Sequence, residues 1–344
     1  MWGFIKKPRE IKINEFSEIN ECNKKKSYDK LYCIYNLIDS RNNITFGMHV
    51  CNEFNDELIN GECMFQLQIS QIFNLNINTS KKINFFNGFC KNIKNPAWRS
   101  ECFFLLADEL SYLDNNYNYL KEISNSCSNS NLANSFGCFN HVAINLPLKH
   151  IKNFCSFAKE NERENCYYGY GYKIGTNMSL NKLNESLKIC KKLSENLSSN
   201  CVVGMIWSLS TTNVNDKMKF FLNACEIISY EYKEICYHRL GYSFNILKDS
   251  SGLNDINKYC SYVPKKYSKN CIKGYAEGLD LTKKFNLKLE IQECLNVEKL
   301  YQEDCIMQLI YQINLLVKLK NILNQLLVIN IYQLKVMCIR QNLN

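Results

Sequence analysis

Cysteine is the residue whose number and spacing point most directly to chemistry in this sequence. There are 19 cysteines in 344 residues, and 18 of them form nine pairs: Cys22/Cys33, Cys51/Cys63, Cys90/Cys102, Cys127/Cys138, Cys155/Cys166, Cys190/Cys201, Cys225/Cys236, Cys260/Cys271 and Cys294/Cys305. The members of a pair stand 11 residues apart seven times and 12 residues apart twice. Structural zinc sites use cysteines two to four residues apart, and no Cys-x-x-Cys occurs, which also removes Cys-x-x-Cys-His haem attachment. Reduced cysteines packed as small apolar residues are a competing reading, although core packing does not call for pairs at one interval. Disulfides explain the pairing and impose a geometric demand. Bonded α-carbons lie ~4.4–6.8 Å apart, whereas a continuous helix would hold residues 11 apart at ~16 Å. The chain must therefore turn inside each pair, and segments such as KKLSENLSSN and SYVPKKYSKN carry suitable turn residues. Cys338 alone is left over.

Other residues invite a catalytic or ligand-binding reading. The run NCYYGYGYKIG, with Gly169, Gly171 and Gly175, looks like a phosphate loop, but it follows KENERE rather than the apolar strand such a loop needs. In other pairs the position of Gly169 holds Leu105 or Arg239, and that of Gly171 holds Ala107, Ala143, Gly241 or Ala276. Small residues for close helix packing are the better account. His49, His141, His150 and His238 lie in different repeats without ligand spacing and are expected in structural or surface roles. No nucleophile elbow, His-Glu-x-x-His or Walker loop is present. Asp108 and Glu109 are adjacent carboxylates, but helix neighbours diverge by ~100°, and a solvated face is expected for both. Trp98, Trp207 and the 21 tyrosines are candidates to line a binding surface, with the tyrosines of the periodic stripe expected in the core. No catalytic, cofactor-binding or metal-binding residue is assigned, and no cofactor is expected.

The elements that position the cysteines follow from periodicity. From Cys155 onward the first cysteines recur every 34 or 35 residues, and earlier the interval varies between 28 and 39. A fixed period of this size is the mark of a repeat array. The residue after each second cysteine is apolar or aromatic in all nine repeats (Ile34, Met64, Phe103, Phe139, Tyr167, Val202, Tyr237, Ile272, Ile306). So is the fourth residue on (Leu37, Leu67, Leu106, Val142, Tyr170, Met205, Leu240, Tyr275, Leu309). That spacing is one stripe of an α-helix, so each second cysteine is placed near the start of a helix A, with its sulfur on the buried face. Segments such as SLNKLNESLKIC and VNDKMKFFLNAC, apolar every third or fourth residue, read as a helix B running into each first cysteine. Each pair then staples the end of helix B to the start of the next helix A, worth ~2.5–3 kcal/mol per loop in the chain-entropy account.

Segments such as CYYGYGYKIGTNMSLNKLNESLKICKKL and CYHRLGYSFNILKDSSGLNDINKYC resemble the Sel1-like branch of the tetratricopeptide-type repeats, and one disulfide per repeat is similar to its secreted cysteine-rich bacterial members. The resemblance implies an α-solenoid used for protein interaction. It also brings in a cell-wall-related hydrolase as an alternative, for which no motif here supplies the residues.

Hydrophobic residues at 46% and charged residues at 22% exclude a mostly disordered chain. The net charge of +9 is spread over dispersed lysines, so no nucleic-acid partner is expected. No window holds ~20 uninterrupted apolar residues, so no transmembrane helix is expected. The expected organisation is a lead-in over 1–21, a stapled array over 22–305, and an atypical tail over 306–344. The tail lacks Gly, Pro, Ser, Thr, Ala, Asp and Glu altogether, and reads as an apolar cap or as the product of a reading-frame error after Cys305. The fold expected is all-α: a right-handed α-solenoid of about nine two-helix repeats. It would act as a non-enzymatic scaffold with a protein or peptide partner on a concave surface, or as a purely structural surface protein. Disulfides place it outside the cytoplasm, periplasmic, secreted or at the cell surface, although the amino terminus shows no secretory signal.

Overall fold

The computed structural model describes residues 13–25, 27–41, 43–54, 56–71, 78–113, 117–130, 132–176, 180–211, 217–244, 255–279 and 287–312. Among these the chain is helical throughout, with no strand. In order come α1 (Ile13–Asn23), α2 (Ser27–Arg41), α3 (Ile44–Asn52), α4 (Glu57–Gln71), α5 (Thr79–Asn92), α6 (Pro96–Leu113), α7 (Leu120–Asn129), α8 (Leu132–Asn145) and α9 (Leu148–Ser156). Then follow α10 (Glu160–Thr176), α11 (Leu180–Lys191), α12 (Glu195–Ser208), α13 (Lys217–Ile227), α14 (Lys233–Tyr242), α15 (Ile256–Cys260), α16 (Ser268–Glu277) and α17 (Leu287–Leu295). Helical backbone resumes over 302–312. Contacts divide the chain into two compact units, Met1–Cys166 and Tyr167–Asn344. Of the expected tail, 306–312 continues the last helix, while 313–344, with Cys338, lies outside the described residues, as does 1–12 of the lead-in.

All nine cysteine pairs are disulfides at helix junctions, with α-carbons 5.4 to 5.9 Å apart. The first unit holds Cys22–Cys33, Cys51–Cys63, Cys90–Cys102, Cys127–Cys138 and Cys155–Cys166. The second holds Cys190–Cys201, Cys225–Cys236, Cys260–Cys271 and Cys294–Cys305. The first cysteine of each pair sits in the last turn of its helix.

The second cysteines correct the expectation that they stand near the start of helix A. Cys33 in α2, Cys63 in α4, Cys102 in α6, Cys138 in α8, Cys166 in α10 and Cys201 in α12 are each the seventh residue of their helix, nearly two turns inside it. Cys236, Cys271 and Cys305 are likewise seventh in their helical runs, which open with the 3-10 turns Tyr230–Tyr232, Lys265–Tyr267 and Lys299–Tyr301. Burial also differs at one of them. Cys63, Cys102, Cys138, Cys166, Cys201, Cys236, Cys271 and Cys305 are buried as expected, but Cys33, in the first repeat, is half-buried. The turn is correspondingly far shorter than the ten-residue segments proposed for it. In KKLSENLSSN only 192–194 is turn, and ENLSSN is already helix.

The cause is local hydrogen bonding. The backbone N–H three residues after the first cysteine donates to that cysteine's carbonyl: Phe54 to Cys51 (3.2 Å), Ile93 to Cys90 (3.2 Å), Ala158 to Cys155 (3.2 Å), Leu193 to Cys190 (3.0 Å) and Val263 to Cys260 (3.1 Å). One such bond closes helix B, and burial of Phe54, Ile93, Ala158, Val263 and Val297 pins the corner. The next helix opens at once where a cap is available. The Asp56 carboxylate accepts from the N–H of Leu58 and Ile59 at 2.9 and 3.2 Å, and the Asn95 side chain accepts from Ala97 and Trp98 at 3.0 and 3.1 Å. Each cap contributes ~1 kcal/mol. Two Asn-x-Ser/Thr asparagines work the same way, Asn43 on α3 and Asn78 on α5. Six helical residues thus precede the second cysteine, and they carry it back alongside the end of helix B.

The two stripe positions of helix A are buried in all but one repeat each, the half-exposed exceptions being Leu37 in the first and Ile306 in the last. Within the first unit, α2 packs on α4, α4 on α6 and α6 on α8, and α7 packs on α9. Within the second, α12 packs on α14, α14 on α16, and α11 on α13. Helices A thus stack on helices A, and helices B on helices B, as in repeat architectures.

Candidate functional site

Positions in helix A can be counted from the second cysteine, and the count shows how successive helices meet. In the second unit two junctions share one pattern. A Cβ placed on Gly171 (position +5) would lie 1.8 Å from the carbonyl oxygen of Cys201 in the next helix A, and one on Gly204 (position +3) would lie 1.9 Å from the carbonyl oxygen of Tyr168. The α14–α16 junction repeats this: Gly241 at +5 faces the Cys271 carbonyl at 1.8 Å, and Gly274 at +3 faces the His238 carbonyl at 1.8 Å. Two backbones therefore touch, which only glycine allows. The run NCYYGYGYKIG is one side of such a contact, with Gly171 at its centre and Gly169 buried.

Between these two close junctions lies the α12–α14 junction, where Ile206 occupies +5 and Arg239 occupies +3. Large side chains replace both glycines, and the Arg239 guanidinium fills the interval. Its central carbon lies 3.9 Å from the Trp207 ring centre and 4.1 Å from that of Tyr242, and the two rings are 5.6 Å apart. Cation–π contacts of this kind are worth ~0.5–2 kcal/mol each. Arg239 is only 7% exposed, and its Nε and Nη1 have no hydrogen-bond partner. No carboxylate among the described residues pairs with it. Burial pulls its pKa down, while Tyr242, Tyr168 and Tyr172 beside it act in the opposite direction. Tyr168 is itself pushed up to about 12 by burial, an effect the Arg239 charge reduces.

Trp207 and Tyr242 both occupy position +6, as do Tyr172 in the preceding helix A and Glu277 in the following one. All four are half-buried. Tyr172 donates a long hydrogen bond, 3.5 Å, to the Thr211 hydroxyl, and Glu277 lies 3.2 Å from His238 Nε2. The second unit therefore carries a row of Tyr172, Trp207, Tyr242 and Glu277 at one register, with a buried cation behind its centre. Of the sequence candidates, Trp207 belongs to this row. Trp98 does not: it is 2% exposed, 5.2 Å from the Phe65 ring and packed on Gly61. Tyr167, Tyr170, Tyr237 and Tyr275 lie in the core. No motif marks Arg239 as a site residue, and its one signal in the sequence is that it is the only formally charged residue at +3 in the nine repeats.

The first unit handles the same registers differently. Gln68, at +5, donates from its side-chain amide to the Cys102 carbonyl at 3.0 Å. Asp108 and Glu109, expected on a solvated face, are 6% and 1% exposed. Their helix α6 is covered by α4, α5, α7 and α8, and α8 brings the partners that make a buried Asp108 tolerable. His141 Nε2 lies 3.1 Å from Asp108 Oδ1, and Asn145 Nδ2 donates to the same oxygen at 3.1 Å. Of the other histidines, His49 faces Glu53 at 3.6 Å and His150 stacks on Tyr117 at 4.1 Å. Glu62, 1% exposed, has its carboxyl pushed up to about 7 by burial, offset in part by the neighbouring Tyr35 hydroxyl.

Among the described residues no group of three or more His, Cys, Asp or Glu could hold a metal ion, and no helix is long and apolar enough to cross a membrane. Compared with protein-family models, curated proteins and solved structures, the chain finds no significant match.

Proposed function

We propose that this chain is a disulfide-stapled helical-repeat scaffold whose second unit binds a protein or peptide partner through the helix A face carrying Tyr172, Trp207, Tyr242 and Glu277. The observation that carries the reading is the row itself: three aromatic side chains and an acid in successive repeats, half-buried at one register, where a core position would be fully covered. Rigid aromatic side chains with a solvated edge are what interfaces favour. Stacking of helix A on helix A within each unit supports an α-solenoid; its right hand, its count of about nine two-helix repeats and the placing of this face on the concave side are part of the proposal. The nine disulfides favour an oxidising, extracytoplasmic setting, and they keep such a face in one geometry before binding.

Two measurements test this. Thiol counting on the denatured, unreduced chain is expected to find one free thiol, Cys338; 19 would remove both the staples and the compartment. Peptides selected from a random library against the oxidised chain are expected to compete for one site and to lose at least ~10-fold in affinity on Trp207→Ala, a hot-spot-sized effect. No enrichment, or peptides indifferent to that substitution, would overturn the assignment.

A further inference from the structure

We infer that Arg239 is a carboxylate receptor, so that whatever binds the aromatic row presents a carboxylate to it; this rests on the reading of that face as a binding surface and adds what the face recognises. A guanidinium has five N–H donors arranged around its edge. Trp207 and Tyr242, at 3.9 and 4.1 Å with their rings 5.6 Å apart, flank the cation on adjacent rather than opposite sides. Their π-faces attract the charge more than they satisfy its N–H donors, and the Tyr242 side chain is a hydrogen-bond partner as well. Nε and Nη1 are left buried and without an acceptor. A buried cation lacking its counter-charge is a costly arrangement. Other charged groups are paired: Asp108 has His141 and Asn145, and Asp304 has Lys269 and Lys273.

The group that completes the arrangement is an anion with in-plane oxygen acceptors, which a carboxylate supplies in the geometry guanidinium prefers. One buried cation balances a single negative charge. A phosphate dianion would leave an excess negative charge among the hydroxyls of Tyr168, Tyr172 and Tyr242. Trp207 and Tyr242 are half-buried, so the walls of the site still meet solvent while the cation lies deeper. A ligand reaches it by displacing side chains that are already partly solvated.

The test uses the oxidised full chain with ¹⁵N-labelled arginine in chloride-free buffer at neutral pH. The Arg239 Nε–H resonance, assigned by its loss in Arg239→Met, is followed during titration with four probes: acetate, an amidated peptide with one internal Glu, a peptide with a free C-terminal carboxylate and no acidic side chain, and inorganic phosphate. The expected result is a saturable shift with at least one carboxylate probe. Arg239→Met should lose it while melting no lower than the parent, and Arg239→Lys, which keeps the charge without the planar fork, should weaken it roughly tenfold. Tighter binding of either peptide than of acetate places the carboxylate on a macromolecular partner, and the reverse order places it on a small acid. No shift with any carboxylate, or phosphate binding more tightly than all three, overturns the inference. If library peptides depend on Trp207 but no carboxylate moves Arg239, the scaffold reading stands without this one. If acetate saturates and no peptide binds, the carboxylate site stands and the scaffold reading falls.

Discussion

The carbonyl of the second cysteine of a repeat meets the preceding helix A in both units, and the two units answer it differently. In the first unit the Gln68 amide donates to the Cys102 carbonyl across 3.0 Å, and Asp108, His141 and Asn145 join the next pair of helices. In the second unit the carbonyls of Cys201 and Cys271 face Gly171 and Gly241 so closely that a Cβ would stand 1.8 Å away. A junction made of side chains can lose one member and relax. A junction made of touching backbones has no atom to spare, because any side chain must move a whole helix. The second unit also departs from this pattern at Arg239, where two buried donors lack a partner.

The contrast can be broken most severely at Gly241. Gly241→Val should cost about 3 kcal/mol or more and expose α14 and α16 to rapid hydrogen exchange, leaving α6 and α8 protected. Equal loss of protection in both pairs of helices would show that the two units do not unfold separately. Asp108→Ala should cost about 2 kcal/mol, since it removes the charged acceptor that His141 and Asn145 share. A double-mutant cycle with His141→Ala, read by urea unfolding, should return a coupling of about 1 kcal/mol; a coupling near zero would make the His141 contact incidental.

Glu62 gives the first unit a pH dependence. Its folded carboxyl titrates at about 7 against an ordinary value of 4.5, so the folded state holds the proton more tightly than the unfolded chain. The associated stability is present in full below pH ~4.5 and is lost as pH rises through ~7. Glu62→Gln should flatten that downward slope, as followed by thermal melts across this range, and a slope unchanged by the substitution would exclude Glu62 as its source. The smallest effect belongs to Gln68→Ala, about 1 kcal/mol, because the Cys102 carbonyl keeps its place in α6. A cost comparable to that of Gly241→Val would mean that the two kinds of junction are not mechanically distinct.

Much of the fold is legible in the sequence. Pairing cysteines by interval identified all nine disulfides, and the stripe after each second cysteine identified helix A and its buried face, because a repeated local pattern averages out the accidents of any one segment. Boundaries were less legible. The stripe after Cys33, Cys63, Cys138 or Cys236 shows that the cysteine is helical but not how many helical residues precede it, since the stripe position one turn earlier is polar there (Lys30, Asn60, Ser135, Lys233). The turn after Cys190 is three residues long, and nothing in KKLSENLSSN marks its end except the bond from the Leu193 N–H to the Cys190 carbonyl. Asp108 and Glu109 were misplaced for a related reason: neighbours on one helix point in different directions, but α6 is enclosed by four others, and enclosure is not a property of the helix itself.

The amino-acid sequence alone determined the pairing of thiols, the alternation of two kinds of helix and the role of small residues at position +5, since all three follow from spacing along one chain. Tertiary structure decided which glycines touch a backbone and which acid is buried against which histidine. It also decided that Arg239 lies against Trp207 and Tyr242 with two donors unanswered. Such facts depend on which helix arrives opposite, and residues 32 and 3 positions away in the chain carry no mark of meeting at one guanidinium until the helices pack.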